Sequence, residues 1–101
     1  MTDNHVLEVA LFRVKAGREA DMPALRAGLR DALRGFPGLL DIQSYEPAGE
    51  ERVFADLAKW DSLDSALSAA DAFENGDPRF LPYFEAIEAV TFMGHFSPEP
   101  R

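Results

Sequence analysis

Two acidic residues stand where apolar ones are expected. Asp56 lies inside Val53-Phe54-Ala55-Asp56-Leu57-Ala58-Lys59-Trp60, and Glu8 inside the run from Val6 to Lys15. Both runs alternate with the period of a strand, so Asp56 shares a face with Phe54, Ala58 and Trp60. A carboxylate buried without partners is costly and either rises in pKa or recruits a cation. If the two strands are adjacent, Asp56 and Glu8 can share one face, where mutual repulsion would make one of them a proton acceptor. The alternative is that one or both are solvated or paired to Arg26 or Arg79. His95 alternates with Met93 and Thr91 on the last apolar run, where an imidazole suits a proton shuttle or a hydrogen-bonded strand histidine. Trp60 offers either a flat aromatic wall with an indole N–H or a core side chain at a strand end. His5 is assigned no role.

The elements that must position these residues follow from hydrophobic periodicity. Val6 to Lys15 reads as a first strand closed by Ala16-Gly17. A helix from about Arg18 to Arg34 carries Met22, Leu25, Leu29, Ala32 and Leu33 on one face, with Pro23 tolerable only in its first turn. Gly35-Phe36-Pro37-Gly38 ends it. Leu39 to Glu46 and Val53 to Trp60 are strands joined closely enough for a hairpin. Asp61-Ser62-Leu63-Asp64 opens a second helix with Asp61 as a cap-like acid, Leu63, Ala66, Leu67, Ala70 and Phe73 as its stripe and Asn75-Gly76 as its end. Asp77-Pro78 starts a short extra helical turn, Ala89 to Phe96 is the last strand, and residues 98–101 form a tail.

The order β-α-β-β-α-β predicts one α+β domain over residues 1–101, with a core of about 6–97. It is a ferredoxin-like antiparallel sheet with its first and third strands central and its helices on one face. Yet the strands are apolar on both faces, and an uncovered apolar sheet face calls for a partner. The expectation is a homodimer, sheet against sheet. The aromatic residues, Phe54 among them, should line a cavity between sheet and helices that is the natural small-molecule site.

The 101 residues hold 18 acidic and 10 basic side chains, net −8, which argues against nucleic acid as a partner. Its one basic row, Arg26, Arg30 and Arg34, reads as a solvated helix face. With no cysteine and two distant histidines, neither thiolate chemistry nor an all-protein transition-metal site is expected. No phosphate-binding glycine motif occurs. Without a membrane-length apolar run or a signal-peptide core, the expected compartment is the cytoplasm.

Phe12-Arg13-Val14-Lys15-Ala16-Gly17-Arg18-Glu19, Phe36-Pro37-Gly38-Leu39-Leu40 and Ala58-Lys59-Trp60-Asp61-Ser62-Leu63-Asp64, together with Asp77-Pro78-Arg79-Phe80, resemble the antibiotic biosynthesis monooxygenase family of dimeric α+β barrels. The resemblance spans roughly Leu7 to Phe96. The stress-responsive α/β barrel family is a close rival, and Asp56-Leu57-Ala58 is similar to its third strand.

Some members of the first family are cofactor-free monooxygenases of aromatic polyketides or quinols, and others degrade heme. For the oxygenase branch, the resemblance implies Trp60 at the end of the third strand, Tyr45 on the second and Arg79 late in the chain, with Asp56 where that branch has Asn. The positions that would carry the Asn and His of heme degradation hold Ala10 and Ala70, which speaks against that reaction.

The leading expectation is a cofactor-independent oxygenase of a small aromatic or quinol-type substrate. Asp56, with Glu8, would accept a proton, Tyr45 and Arg79 would orient oxygens, and Trp60 would stack. The substrate anion would itself reduce oxygen, so no cofactor is implied. The competing expectations are a non-enzymatic ligand-binding or structural dimer of the stress-responsive kind, and carboxylate-based isomerase or lyase chemistry.

Overall fold

The computed structural model describes residues 4–99. Its chain runs β1 (Val6–Val14), α1 (Met22–Leu33), β2 (Leu39–Tyr45), β3 (Val53–Trp60), α2 (Leu63–Glu74), α3 (Leu81–Ala86) and β4 (Ile87–Phe96). All pairings are antiparallel and the sheet order is β2-β3-β1-β4, so the first and third strands are central, as expected. The result is an α+β ferredoxin-like βαββαβ fold, the protomer architecture of dimeric α+β barrels. Pro100 and Arg101 of the expected tail lie outside the described residues.

Register decides which side chains meet. Across β1 and β3, Glu8 pairs with Ala58, Ala10 with Asp56 and Phe12 with Phe54. Paired residues project to the same side, so these six share the face that the helices cover. The opposite face carries Leu7, Val9 and Leu11 of β1 with Ala55 and Leu57 of β3. On β4 it carries Phe92 and Phe96, paired with Leu11 and Leu7. Their rings stack 6.2 Å apart at 18° over Gly94, where a Cβ would meet both. A side chain there would have to push the two rings aside.

Helix ends depart from the sequence reading in small, explicable ways. A 3₁₀ turn at Glu19–Asp21 precedes α1, which places Pro23 in the first α-turn, where its missing N–H is harmless. Ser62, not Asp61, caps α2: its hydroxyl accepts the Ser65 N–H at 3.1 Å. Asp77-Pro78 makes a turn rather than a helix start; Asp77 Oδ1 accepts the Arg79 N–H at 2.9 Å, and α3 begins only at Leu81. That helix runs into β4 without a loop, so the last strand starts at Ile87 rather than Ala89.

The core lies between the helices and the covered face. Val14, Met22, Trp60 and Phe80 are its largest fully buried side chains, flanked by Phe12, Leu29, Leu33 and Phe54. Each contributes roughly 1.5–3 kcal/mol by leaving water. Among the described residues no helix is long and apolar enough to cross a membrane.

Candidate functional site

The helices do not fill the covered face. A cavity of about 210 Å³ remains between the sheet and α2 and α3. Its floor is Glu8, Ala10, Phe12, Ile42, Asp56 and Ala58, and small residues on two strands leave the room for it. Ala69, Ala70 and Phe73 of α2, Phe80, and Tyr83 and Phe84 of α3 form the roof. Val90 and Met93 of the edge strand β4 also line it and stay exposed, so the cavity opens towards that edge. Its polar lining consists of Glu8, Asp56, Glu74 and the Tyr83 hydroxyl.

Asp56 is held from two sides. The Tyr83 hydroxyl donates to its Oδ2 at 2.5 Å, and Nη2 of the buried Arg26 lies 3.2 Å from Oδ1. The Arg26 contact is an ion pair without hydrogen-bond alignment, and Oδ1 has no hydrogen-bond donor. Nη2 instead donates to the backbone oxygens of Tyr45 at 2.9 Å and Ala55 at 3.0 Å. The guanidinium also packs 5.0 Å from the Phe54 ring centre and 5.7 Å from that of Phe12. Burial pushes the Asp56 carboxyl above the usual carboxylate range, against the opposing pull of Tyr83, Arg26, Ser44 and Arg30. Burial, followed by the charge and hydrogen bond of Asp56, drives the Tyr83 phenol well above its ordinary value, so it stays a donor.

Glu8 is held more loosely. Its Oε2 lies 2.9 Å from His95 Nε2, across the β1–β4 pairing that sets the two side by side. Burial raises its pKa, and the charge of Asp56 adds to the rise, while His95 and the nearby Trp60 indole oppose it. Trp60 Nε1 approaches Glu8 without reaching hydrogen-bond geometry. Asp56 and Glu8 therefore occupy one face of one cavity.

The remaining sequence-predicted residues stand elsewhere. Trp60 is fully buried under the wall and does not reach the cavity. Phe54 is buried beside Arg26, on the far side of Phe12 from the roof. Tyr45 pairs with Ala55 on the open face, 49% exposed, and donates to Gln43. A bulge between Leu39 and Asp41 shifts the parity of β2 and turns Tyr45 outward. Arg79 lies outside the cavity over the Phe36 ring, 4.4 Å from its centre, and its side chain donates twice to Asp77. That pairing holds the Asp77 carboxyl down at about 2. The basic row also needs correction: Arg26 is buried, not solvated.

Sequence reasoning offered Arg26 only as an alternative partner for the acids, which the Asp56 ion pair bears out, and passed over Tyr83 as part of the site. A signal for Arg26 existed, because it lies four residues after Met22 and three before Leu29, inside the apolar stripe. Among the described residues no group of three His, Cys, Asp or Glu side chains could hold a metal ion.

A profile of antibiotic biosynthesis monooxygenases matches residues 5–78. The chain belongs to the antibiotic biosynthesis monooxygenase family. The match takes in Glu8, Arg26 and Asp56 and stops before Tyr83 and His95. A Bordetella bronchiseptica protein assigned to the same family superposes with a TM-score of 0.81 at 16% identity, covering 97% of this chain and 100% of that one. A Chloroflexus aurantiacus protein with the same assignment gives 0.72 at 18% identity, over 96% and 95% of the two chains. SnoaB, a cofactor-independent oxygenase from Streptomyces nogalater, gives 0.67 at 20% identity, over 97% and 94%. At such identities these likenesses speak for the fold. No curated protein sequence matches the chain.

Proposed function

We propose that the protein is a cofactor-independent monooxygenase of a small aromatic or quinol-type substrate, and that its reaction runs in the cavity over Asp56 and Glu8. The observation that carries this reading is the pair of carboxylates on one wall of a largely apolar cavity, both pushed above their ordinary pKa by burial. A raised carboxylate is a better match to a phenolic or activated C–H proton than a solvated one. Deprotonation makes the substrate anion electron-rich enough to reduce oxygen itself. One oxygen atom enters the substrate and the other leaves as water. In this scheme Tyr83 and Arg26 fix Asp56, and Glu8 passes its proton to His95, which is only partly buried. The wall supplied by Phe73, Phe80 and Phe84 takes the stacking role expected of Trp60.

The test is oxygen uptake by the purified chain with a panel of hydroxyarenes and quinols and no added cofactor. Oxygen-dependent turnover that falls in Glu8→Gln and Asp56→Asn supports the proposal. Turnover without uptake would mean isomerase or lyase chemistry by the carboxylates, and binding without turnover would mean a ligand carrier.

The open sheet face supports a homodimer as part of the same reading. Leu7, Val9, Leu11, Ala55 and Leu57 form an apolar band on the two central strands, continued by Phe92 and Phe96. Analytical ultracentrifugation should show twice the chain mass, and Leu11→Glu should shift the population towards the single chain.

A further inference from the structure

The cavity's polar groups are of one kind. Glu8, Asp56 and Glu74 are acceptors when ionised, and the Tyr83 proton is already given to Asp56. No arginine or lysine lines the cavity among the described residues. The nearest buried cation, Arg26, is spent on Asp56 and on two backbone oxygens and is closed off between aromatic rings. Within this wall the Asp56 oxygens are taken up by Tyr83 and Arg26, which leaves Glu8, with 16% of its side chain exposed, as the acceptor a ligand can reach. A ligand can satisfy such a wall only by bringing hydrogen. A ligand carboxylate would bring a like charge into a poorly solvated space and find nothing to pair with. Size sets a second limit: an apolar cavity of about 150 Å³ holds benzene, so about 210 Å³ corresponds to one or two fused rings.

We infer that this cavity selects uncharged one- or two-ring arenes bearing a hydroxyl and turns away carboxylates of the same shape, with Glu8 and Asp56 as the specificity-determining residues. The inference rests on the same site as the proposed oxygenase reaction and narrows its substrate class. Selection works by opposition as well as attraction: the acids reward a donor and repel an anion.

Isothermal titration calorimetry of the whole chain at pH 7.5 under nitrogen tests it with three probes of one skeleton: 1-naphthol, 1-methoxynaphthalene and 1-naphthoate. Naphthol should bind at least tenfold more tightly than either of the others. Glu8→Gln should narrow the gap between naphthol and naphthoate at least threefold. Naphthoate binding as well as naphthol would overturn charge exclusion, and methoxynaphthalene binding as well would overturn the donor requirement. Failure of all three to bind would overturn the size class. The wild-type ratios decide the matter even if the variant does not fold. Binding is read without turnover, so a protein with this selectivity and no oxygen uptake refutes the oxygenase reading alone. Oxygen uptake with an arene carboxylate that binds as tightly refutes this inference alone.

Discussion

Asp56 and Glu8 lie on neighbouring strands, on the same face of the same sheet, yet they are built into the protein differently. Asp56 is clamped between a phenol at 2.5 Å and a guanidinium at 3.2 Å, and both of those partners are themselves buried. Glu8 has one close partner, His95, on an edge strand, and both side chains keep about a sixth of their surface in water. Burial is the largest influence on each and raises both. What differs is the route by which a proton could leave. Asp56 is enclosed by groups that hold their own protons, whereas Glu8 touches a histidine. The comparison assigns Asp56 to holding and polarising, and Glu8 to proton exchange with the outside.

The sharpest way to break this contrast is to remove the clamp. Arg26→Ala leaves Asp56 without its cation and strips packing from Phe12 and Phe54. It should cost about 3–5 kcal/mol in urea unfolding. A cost below about 1 kcal/mol would mean that Asp56 is not held by charge. Removing the exchanging group comes next. Glu8→Gln keeps the shape and should lower kcat by about 10²-fold with any arene the protein oxidises, with KM changed much less. Tyr83→Phe deletes one hydrogen bond to a charged acceptor and should cost about 2 kcal/mol.

The smallest effect is a pH trend. Because the folded-state pKa of Glu8 is raised, its contribution is complete below its unfolded pKa near 4.5 and is lost as pH rises through the folded value. Wild type should therefore lose stability relative to Glu8→Gln as pH climbs from about 4.5 upward. A relative gain would mean that pairing with His95 outweighs burial.

Much of this was legible in the residues. Period-two and period-3.6 patterns placed every strand and both long helices, but a shared face for Asp56 and Glu8 was only one possibility, because strands apolar on both faces do not fix their register; the β1–β3 pairing realises it. Tyr45 was not legible for a specific reason. Leu39 pairs with Trp60 on the covered face, and plain alternation would carry Tyr45 there too; the bulge after Leu39 reverses the parity. Arg26 was named as a possible partner of the acids, yet its row was read as solvated because a charged residue at every fourth position looks like one, although its place within the apolar stripe of α1 said otherwise. Tyr83 was hidden among aromatic residues whose usual place is the core. Only the approach of α3 to β3 shows that its hydroxyl has an acid to meet.

The central claim is that the cavity holds two carboxylates that take up protons more readily than solvated ones. A ¹³C NMR titration of the side-chain carboxyl carbons, assigned with Asp56→Asn and Glu8→Gln, measures this directly. The account predicts midpoints above the ordinary 3.8 of aspartate and 4.5 of glutamate for Asp56 and Glu8 respectively. Midpoints at or below those values for both residues would contradict it.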